Sequence, residues 1–178
     1  MGVILLRHTR PDVASGICYG RSDLGVAGGF GAEARRIAAQ LPQVNRIVTS
    51  TLTRCATLAA WLAQARDLPL STDPRLVELD FGRWEGLAWD AIPRAELDAW
   101  ADDLLHARPH GGETVAEMQA RTHEALRDHA QSGVLLVTHH GVIKCARELD
   151  MGADAWQSEL RFGGWITLQP ESAANAGA

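Results

Sequence analysis

Short apolar runs alternate along the chain with longer segments whose apolar residues have helical spacing. Residues 3–6, 46–50 and Val134–Thr138 are continuous, largely aliphatic runs, and the last two end in hydroxyl residues. Such runs are typical of strands that are buried on both faces of a parallel sheet. The run Trp165–Leu168 predicts a last strand, which Pro170 would limit.

Four of the segments between these runs carry an apolar stripe with the period of an α-helix. Strands that alternate with helices predict an α/β fold, here a three-layer α/β/α sandwich around a mainly parallel central sheet. The four stripes are Phe30, Ala34, Ile37, Ala38 and Leu41; Leu52, Cys55, Leu58, Ala59 and Leu62; Val115, Met118, Thr122, Ala125 and Leu126; and Val142, Ile143, Ala146 and Leu149.

Residues 76–112 lack this regularity. Trp84, Trp89 and Trp100 punctuate the segment, and two prolines interrupt it. We interpret it as an insertion with one or two helices that packs over one end of the sheet. Trp84 or Trp89 is a candidate wall of a substrate pocket.

Composition narrows the class of protein. The chain has 178 residues, of which 46% are hydrophobic, and a net charge of -5. This length predicts a single domain over residues 1–170, followed by a small, polar and flexible tail over 171–178. Three widely spaced cysteines do not make a disulfide framework or a zinc site. Without a basic cluster or a long apolar run, we expect a cytoplasmic protein that binds neither nucleic acid nor membranes.

Basic side chains follow three of the predicted strands. Arg7 and His8 come after the first, Arg54 after the second, and His139 and His140 after the third. Ligands of open parallel sheets bind at the carboxyl ends of the strands, so these groups should meet at one edge. Their mutual repulsion would be costly unless an anion lay between them.

This set of groups suits phosphoryl transfer. Arginine pairs with phosphate oxygens in a bidentate manner, and a helix that begins near Gly141 would add N–H donors. A neutral imidazole can attack phosphorus, while a second, protonated histidine stabilises the charge that develops. Glu78, Asp80 and Glu85 are the candidate proton donors for the leaving group.

Five segments resemble, in the same order, the motifs of the histidine phosphatase superfamily, also called phosphoglycerate mutase-like. Together they span residues 3–150, and it is their order that makes the resemblance specific. The segments are L-R-H-T at 6–9, S-T-L-T-R-C at 50–55, L-V-E-L-D-F-G-R-W-E-G at 76–86, G-G-E-T at 111–114 and V-T-H at 137–139.

The resemblance implies a role for each matching residue. His8 would be the phosphorylated nucleophile, and Arg7, Arg54 and His139 would form the phosphate pocket. Glu78 would donate the proton, ahead of Asp80 and Glu85. The family uses neither a metal nor an organic cofactor, so none is expected here. The partner would be a small phosphorylated metabolite, and a homodimer is a possible assembly.

Two residues depart from the family pattern, and three more belong to the expected pocket rim. Thr9 replaces a glycine and restricts the backbone, and His140 adds bulk where a small residue is common. We expect His140, Tyr19, Arg21 and Thr114 to contact the substrate, with Tyr19 able to stack on a flat ring.

Residues 7–24 resemble α-ribazole phosphatases of cobalamin assembly, which makes α-ribazole 5′-phosphate the first substrate candidate. A mutase, a phosphatase for another metabolite or a phosphoprotein, a silent phosphate-binding module and a metal-dependent hydrolase remain alternatives. For Arg10 and Arg21 two alternatives stay open, a solvated charge at the surface and a contact with the substrate. We expect four other histidines to lie at the surface: His106, His110, His123 and His129.

Overall fold

One sheet organises the chain in the computed structural model, which describes residues 2–129 and 131–169. Within that part of the chain the strand order is β3-β2-β4-β1-β5. Every pairing is parallel except that of β5 with β1. The strands are β1 (Val3–Arg7), β2 (Arg46–Thr49), β3 (Leu70–Thr72), β4 (Val134–Thr138) and β5 (Trp165–Leu168).

Helices cover both faces of the sheet, which confirms the predicted three-layer sandwich. Helices α1 and α2 pack on one face and α4 and α5 on the other, while α3 lies within the insertion. None of the described helices is both long and apolar enough to cross a membrane. The helices are α1 (Phe30–Gln40), α2 (Thr53–Arg66), α3 (Arg94–Asp102), α4 (Val115–His129) and α5 (His140–Met151).

The central strands bury both of their faces, as their unbroken apolar runs predict. In β1, Val3 and Leu5 point into the core beneath α4 and α5, whereas Ile4 and Leu6 point into the core beneath α1 and α2. All four side chains are at most 1% exposed. Because the strand period is two, the two cores share one strand without sharing a side chain.

The structure corrects the strand assignments at three points, the first being that β1 continues through Arg7. Strand β2 ends at Thr49, one residue before the predicted end, and β3 has no counterpart among the predicted strands. All three residues of β3 are exposed, so the strand has no burial pattern that a sequence could display. It lies at the edge of the sheet, where backbone pairing with β2 holds it.

The insertion contains one α-helix and a small core of its own. Trp84 and Ile92 form this core together with Cys18 of an earlier loop, and two short 3-10 turns, Gly82–Trp84 and Trp89–Ala91, lie in the same segment. His110 is also buried here, 1% exposed and edge-on to the Trp84 ring at 5.0 Å, so its predicted place at the surface is wrong. The predicted flexible tail lies outside the described residues.

Candidate active site

His8 and His139 are the first residues beyond two neighbouring strands. Arg7 ends β1 and Thr138 ends β4, and these two residues are register partners in the parallel pair. The sheet therefore brings the two imidazole rings together, with 5.1 Å between their centroids. His8 is 2% exposed and His139 is fully buried.

The surroundings of His8 select one tautomer. Its Nδ1 lies 2.6 Å from the carbonyl oxygen of Thr9. Because a carbonyl only accepts, Nδ1 carries the proton and Nε2 keeps its lone pair. Burial, and then the charge of Arg54, lowers the pKa of His8 to about 3. The ring is therefore neutral near pH 7, with Nε2 available as a nucleophile.

His139 is held from behind by two small side chains. Its Nε2 lies 2.9 Å from Ser50 Oγ and 3.4 Å from Cys55 Sγ. Burial, followed by the charges of His8 and Arg54, places the pKa of His139 well below its usual range. The protein alone thus keeps this ring neutral, and a protonated second histidine stays a prediction for the site with phosphate bound. A phosphate dianion beside it would oppose the shift.

The two arginines of the expected phosphate pocket occupy different surroundings. Arg54 is fully buried, and its terminal nitrogens donate to the carbonyls of Ser22 and Gly20 at 2.7 and 2.6 Å. Its Nε is buried without a partner in the described chain. Arg7 reaches the open cavity, donates to the carbonyl of Leu160 and lies 4.0 Å from the Phe162 ring centroid.

Glu78 takes the helix N–H that the sequence assigns to phosphate. Its carboxylate accepts from the Gly141 N–H, in the first turn of α5, at 3.1 Å and from the Leu79 N–H at 3.0 Å. A Cβ at Gly141 would lie 2.3 Å from Glu78 Oε1, so this approach requires glycine. The helix terminus therefore orients the candidate proton donor.

A cavity of about 610 Å³ opens above these groups, and we call it the aromatic cavity. Arg7, His8, Glu78 and His140 line its polar side. Burial, and then the charge of Arg7, lowers the pKa of His140 to about 4, so this ring is also neutral. Five rings line the cavity besides the histidines: Tyr19, Phe81, Trp89, Trp100 and Trp156.

Tyr19 lies among the charged groups of the site. Its ring centroid is 5.4 Å from Arg54 Cζ, and its hydroxyl interacts with the Arg7 guanidinium. Burial raises the pKa of Tyr19, against the opposing effect of the two arginines. The tyrosine is therefore a neutral wall that touches the expected phosphate pocket.

Arg21 and Thr114 are not among the residues that line the aromatic cavity. Arg21 forms an ion pair with Glu113 at 3.3 Å and is 44% exposed. Thr114 caps α4, where its hydroxyl accepts from the Glu117 N–H and its own N–H donates to the Glu117 carboxylate. Both residues remain predicted substrate contacts, placed at the rim.

The other two candidate acids are engaged in holding loops. Glu85 accepts hydrogen bonds from the backbone of Arg21, Ser22 and Phe81, and Asp80 accepts from the Gly82 N–H. Thr9, in turn, fits its position without strain, since Asp67 is the sole described residue other than glycine with a positive φ. Of the three candidate acids, Glu78 is therefore the one that lines the cavity beside His8, where Glu159 is a second lining carboxylate.

Sequence reasoning assigned no role to Ser50 or Phe162, which touch the two histidines. Ser50 belongs to a recognised segment, so its contact with His139 could have been inferred from that motif. Phe162 lies 5.5 Å from the His8 ring and follows an irregular stretch with no signal. In the described part of the chain, no group of three His, Cys, Asp or Glu residues is arranged to hold a metal ion.

Comparison with known proteins identifies the family of the chain. The family model of the histidine phosphatase superfamily (branch 1) matches residues 3–171, and the chain belongs to that superfamily. Glucosyl-3-phosphoglycerate phosphatase of Mycolicibacterium vanbaalenii is 32% identical, over 97% of this chain and 86% of its own.

Two further relatives frame the substrate question. Adenosylcobalamin/alpha-ribazole phosphatase of Escherichia coli is 29% identical over 68% of this chain and 65% of its own. The structure of a mycobacterial glucosyl-3-phosphoglycerate phosphatase with VO3 superposes with a TM-score of 0.80 at 27% identity, covering 92% of this chain and 90% of the other. The α-ribazole phosphatase is thus more distant from this chain than the glucosyl-3-phosphoglycerate phosphatase is.

Proposed function

We propose that the protein hydrolyses phosphomonoesters through a phosphohistidine formed at His8 Nε2. One observation carries the proposal: a neutral imidazole with a free Nε2 lies at the floor of a cavity and beside two arginines. The proposed chemistry needs no metal ion, because Arg7 and Arg54 supply positive charge to the phosphate oxygens.

The reaction has two steps. In the first, Nε2 bonds to phosphorus while the bond from phosphorus to the ester oxygen breaks, and protonated Glu78 gives its proton to that oxygen. In the second, water attacks the phosphohistidine and Glu78 takes up a proton from it. His8 regains its lone pair, and inorganic phosphate leaves. Glu78 faces the same cavity as His8, as both steps require.

Two candidate substrates differ in the group to which the phosphate is attached. α-Ribazole 5′-phosphate is the choice that residues 7–24 suggest, and its flat ring suits a cavity walled by tyrosine and tryptophan. Glucosyl-3-phosphoglycerate is supported by the relative that covers 97% of the chain. Its sugar also suits an aromatic wall, and it carries a carboxylate that α-ribazole 5′-phosphate lacks.

The test is a hydrolysis panel combined with trapping of the phosphoenzyme by acid-free denaturation. Both candidates and p-nitrophenyl phosphate are assayed with and without excess chelator. We expect the chelator to leave their turnover unchanged. Release of inorganic phosphate distinguishes hydrolysis from transfer within the substrate, which a mutase would catalyse. Absence of both turnover and phosphoenzyme would leave the silent phosphate-binding module as the better description.

A further inference from the structure

A second recess shares two lining residues with the aromatic cavity. It has a volume of about 870 Å³, and Arg7 and Glu159 line both spaces. Arg10, Arg36 and Arg161 also line it, and we call it the arginine cleft.

The charges in the arginine cleft are not balanced. Four arginines line it, against two acidic residues, Glu33 and Glu159. Among the described residues, none of the four lies within ion-pair distance of either carboxylate, whereas five other arginines have carboxylate partners. Four like charges around one open space repel one another, and an anion between them would relieve that repulsion.

One aromatic ring connects this cleft to the nucleophile. The Phe162 ring centroid lies 5.5 Å from the His8 ring, 4.0 Å from Arg7 Cζ and 6.0 Å from Arg10 Cζ. A phosphate held by Arg7 would therefore lie at the border of the cleft. A short branch of the same molecule can pass over Phe162 to reach Arg10.

We propose that the arginine cleft binds a second anionic group, a carboxylate or phosphate, of the substrate whose phosphoryl group lies at His8. The inference rests on the proposed function and narrows its substrate class to phosphomonoesters with another negative charge a few bonds away. Guanidinium groups suit this role because they pair with carboxylate and phosphate oxygens in a bidentate manner. Continuity through Arg7 favours a tethered group over a separate ion.

The experiment compares 3-phosphoglycerate with glycerol 3-phosphate, which differ by a carboxylate in place of a hydroxymethyl group. The measured quantity is the ratio of their kcat/KM values, which cancels differences in active protein. We expect Arg36→Gln and Arg161→Gln each to lower this ratio about tenfold, the loss of one charge-assisted contact. Arg35→Gln is the matched control, since Arg35 is a neighbour on α1 that does not line the cleft.

A variant of opposite sign sharpens the test. Glu33→Gln removes one of the two carboxylates that face the cleft, so it should raise the same ratio. A ratio that is equal in the wild type and all three cleft variants would overturn the inference.

The source of the anion and the proposed function have separate outcomes. If free acetate alters p-nitrophenyl phosphate turnover in the wild type and not in Arg36→Gln, the cleft binds a separate ion and the assignment to substrate is wrong. If p-nitrophenyl phosphate is hydrolysed and the arginine variants change nothing, the inference alone fails. If the wild type hydrolyses no phosphomonoester and forms no phosphoenzyme, the proposed function fails, and the inference with it.

Discussion

Two parts of the site are held in place by different means. His8 and His139 extend from paired strands, so the backbone register of the sheet sets the distance between them. Part of the wall of the aromatic cavity, including Tyr19 and Phe81, comes from loops, and side chains that are distant in sequence bind the backbone of those loops. Arg54 binds the carbonyls of Gly20 and Ser22, and Glu85 binds the N–H groups on the same loop.

Arg121 does the same for the segment that carries the proposed acid. It donates to the carbonyls of Arg75, Val77 and Glu78, while Glu113 fixes its guanidinium at 2.6 Å. Each such contact joins residues that are far apart in sequence. The two histidines thus depend on the sheet for their positions, whereas the placement of Glu78 and the loop wall of the cavity depends on a few long-range side chains.

The strongest test of the sheet-held part removes the nucleophile. His8→Ala should lower turnover of every phosphomonoester by more than about 10⁴-fold and abolish the phosphoenzyme, because no other group occupies its position. The fold should persist, since the sheet and its two cores do not include the His8 side chain. Phosphoenzyme trapping and circular dichroism measure the two effects.

The control for this prediction is His106→Ala, which changes an exposed histidine. A trapped phosphoenzyme at the wild-type level in His8→Ala would rule out His8 as the attacking group.

The next effect in size separates the acid from the loop anchors. Glu78→Gln should slow hydrolysis of alkyl phosphates by about 10²–10⁴-fold, the range typical of a general acid. p-Nitrophenyl phosphate should lose far less, because its leaving group needs little protonation. Steady-state kinetics with both substrates measures the difference.

Glu85→Gln is the matched variant, since this carboxylate holds loop backbone and does not line the cavity. We expect it mainly to lower the free energy of unfolding. Equal losses for both substrates in Glu78→Gln would assign Glu78 a binding or structural role instead.

The same contrast explains what the sequence could predict. Strands β1 and β4 and the residues that follow them are local patterns, so the meeting of His8 with His139 could be expected from the carboxyl edge of a parallel sheet. Contacts such as Arg54 with Gly20 depend on how loops fold back, and no short pattern encodes them. The use of the Gly141 N–H by Glu78 was missed for that reason, because the two residues come from different segments.

A prediction about pH concerns the free energy of unfolding and its dependence on His8, one of the two histidines that the sheet positions. The pKa of His8 is lowered from 6.5 to about 3, so below pH 6.5 the unfolded chain binds a proton that the folded protein does not. The free energy of unfolding should therefore fall as the pH decreases from about 6.5 towards 3. The slope for one such histidine approaches about 1.4 kcal/mol per pH unit.

Urea unfolding at pH 7.5 and 5.0 measures the combined loss from His8, His139 and His140, whose pKa values are all lowered, and His8→Gln should reduce it. His106→Gln should leave the loss as in the wild type, because His106 is exposed. The range from pH 7.5 to 5.0 lies above the pKa values of most carboxyl groups, and Asp73, whose pKa is about 2, titrates below it. The same pH dependence in His8→Gln as in the wild type would show that His8 is not kept neutral by the fold.

The smallest expected effect concerns Tyr19, which belongs to the part of the cavity wall that comes from a loop. Tyr19→Ala removes a ring that lines the cavity, so it should raise KM for α-ribazole 5′-phosphate or another bulky substrate about fivefold to tenfold, the value of one aromatic contact.

Tyr19→Phe keeps the ring and loses only the hydroxyl that interacts with Arg7. The difference between the two variants therefore measures stacking, and Tyr19→Phe against wild type measures the support of Arg7. Arg21→Ala should raise KM for the bulky substrate less than Tyr19→Ala does, because its guanidinium forms an exposed ion pair with Glu113 and does not line the cavity. Parallel losses for the bulky substrate and p-nitrophenyl phosphate in Tyr19→Ala would mean that the tyrosine supports the phosphate pocket and does not select the leaving group.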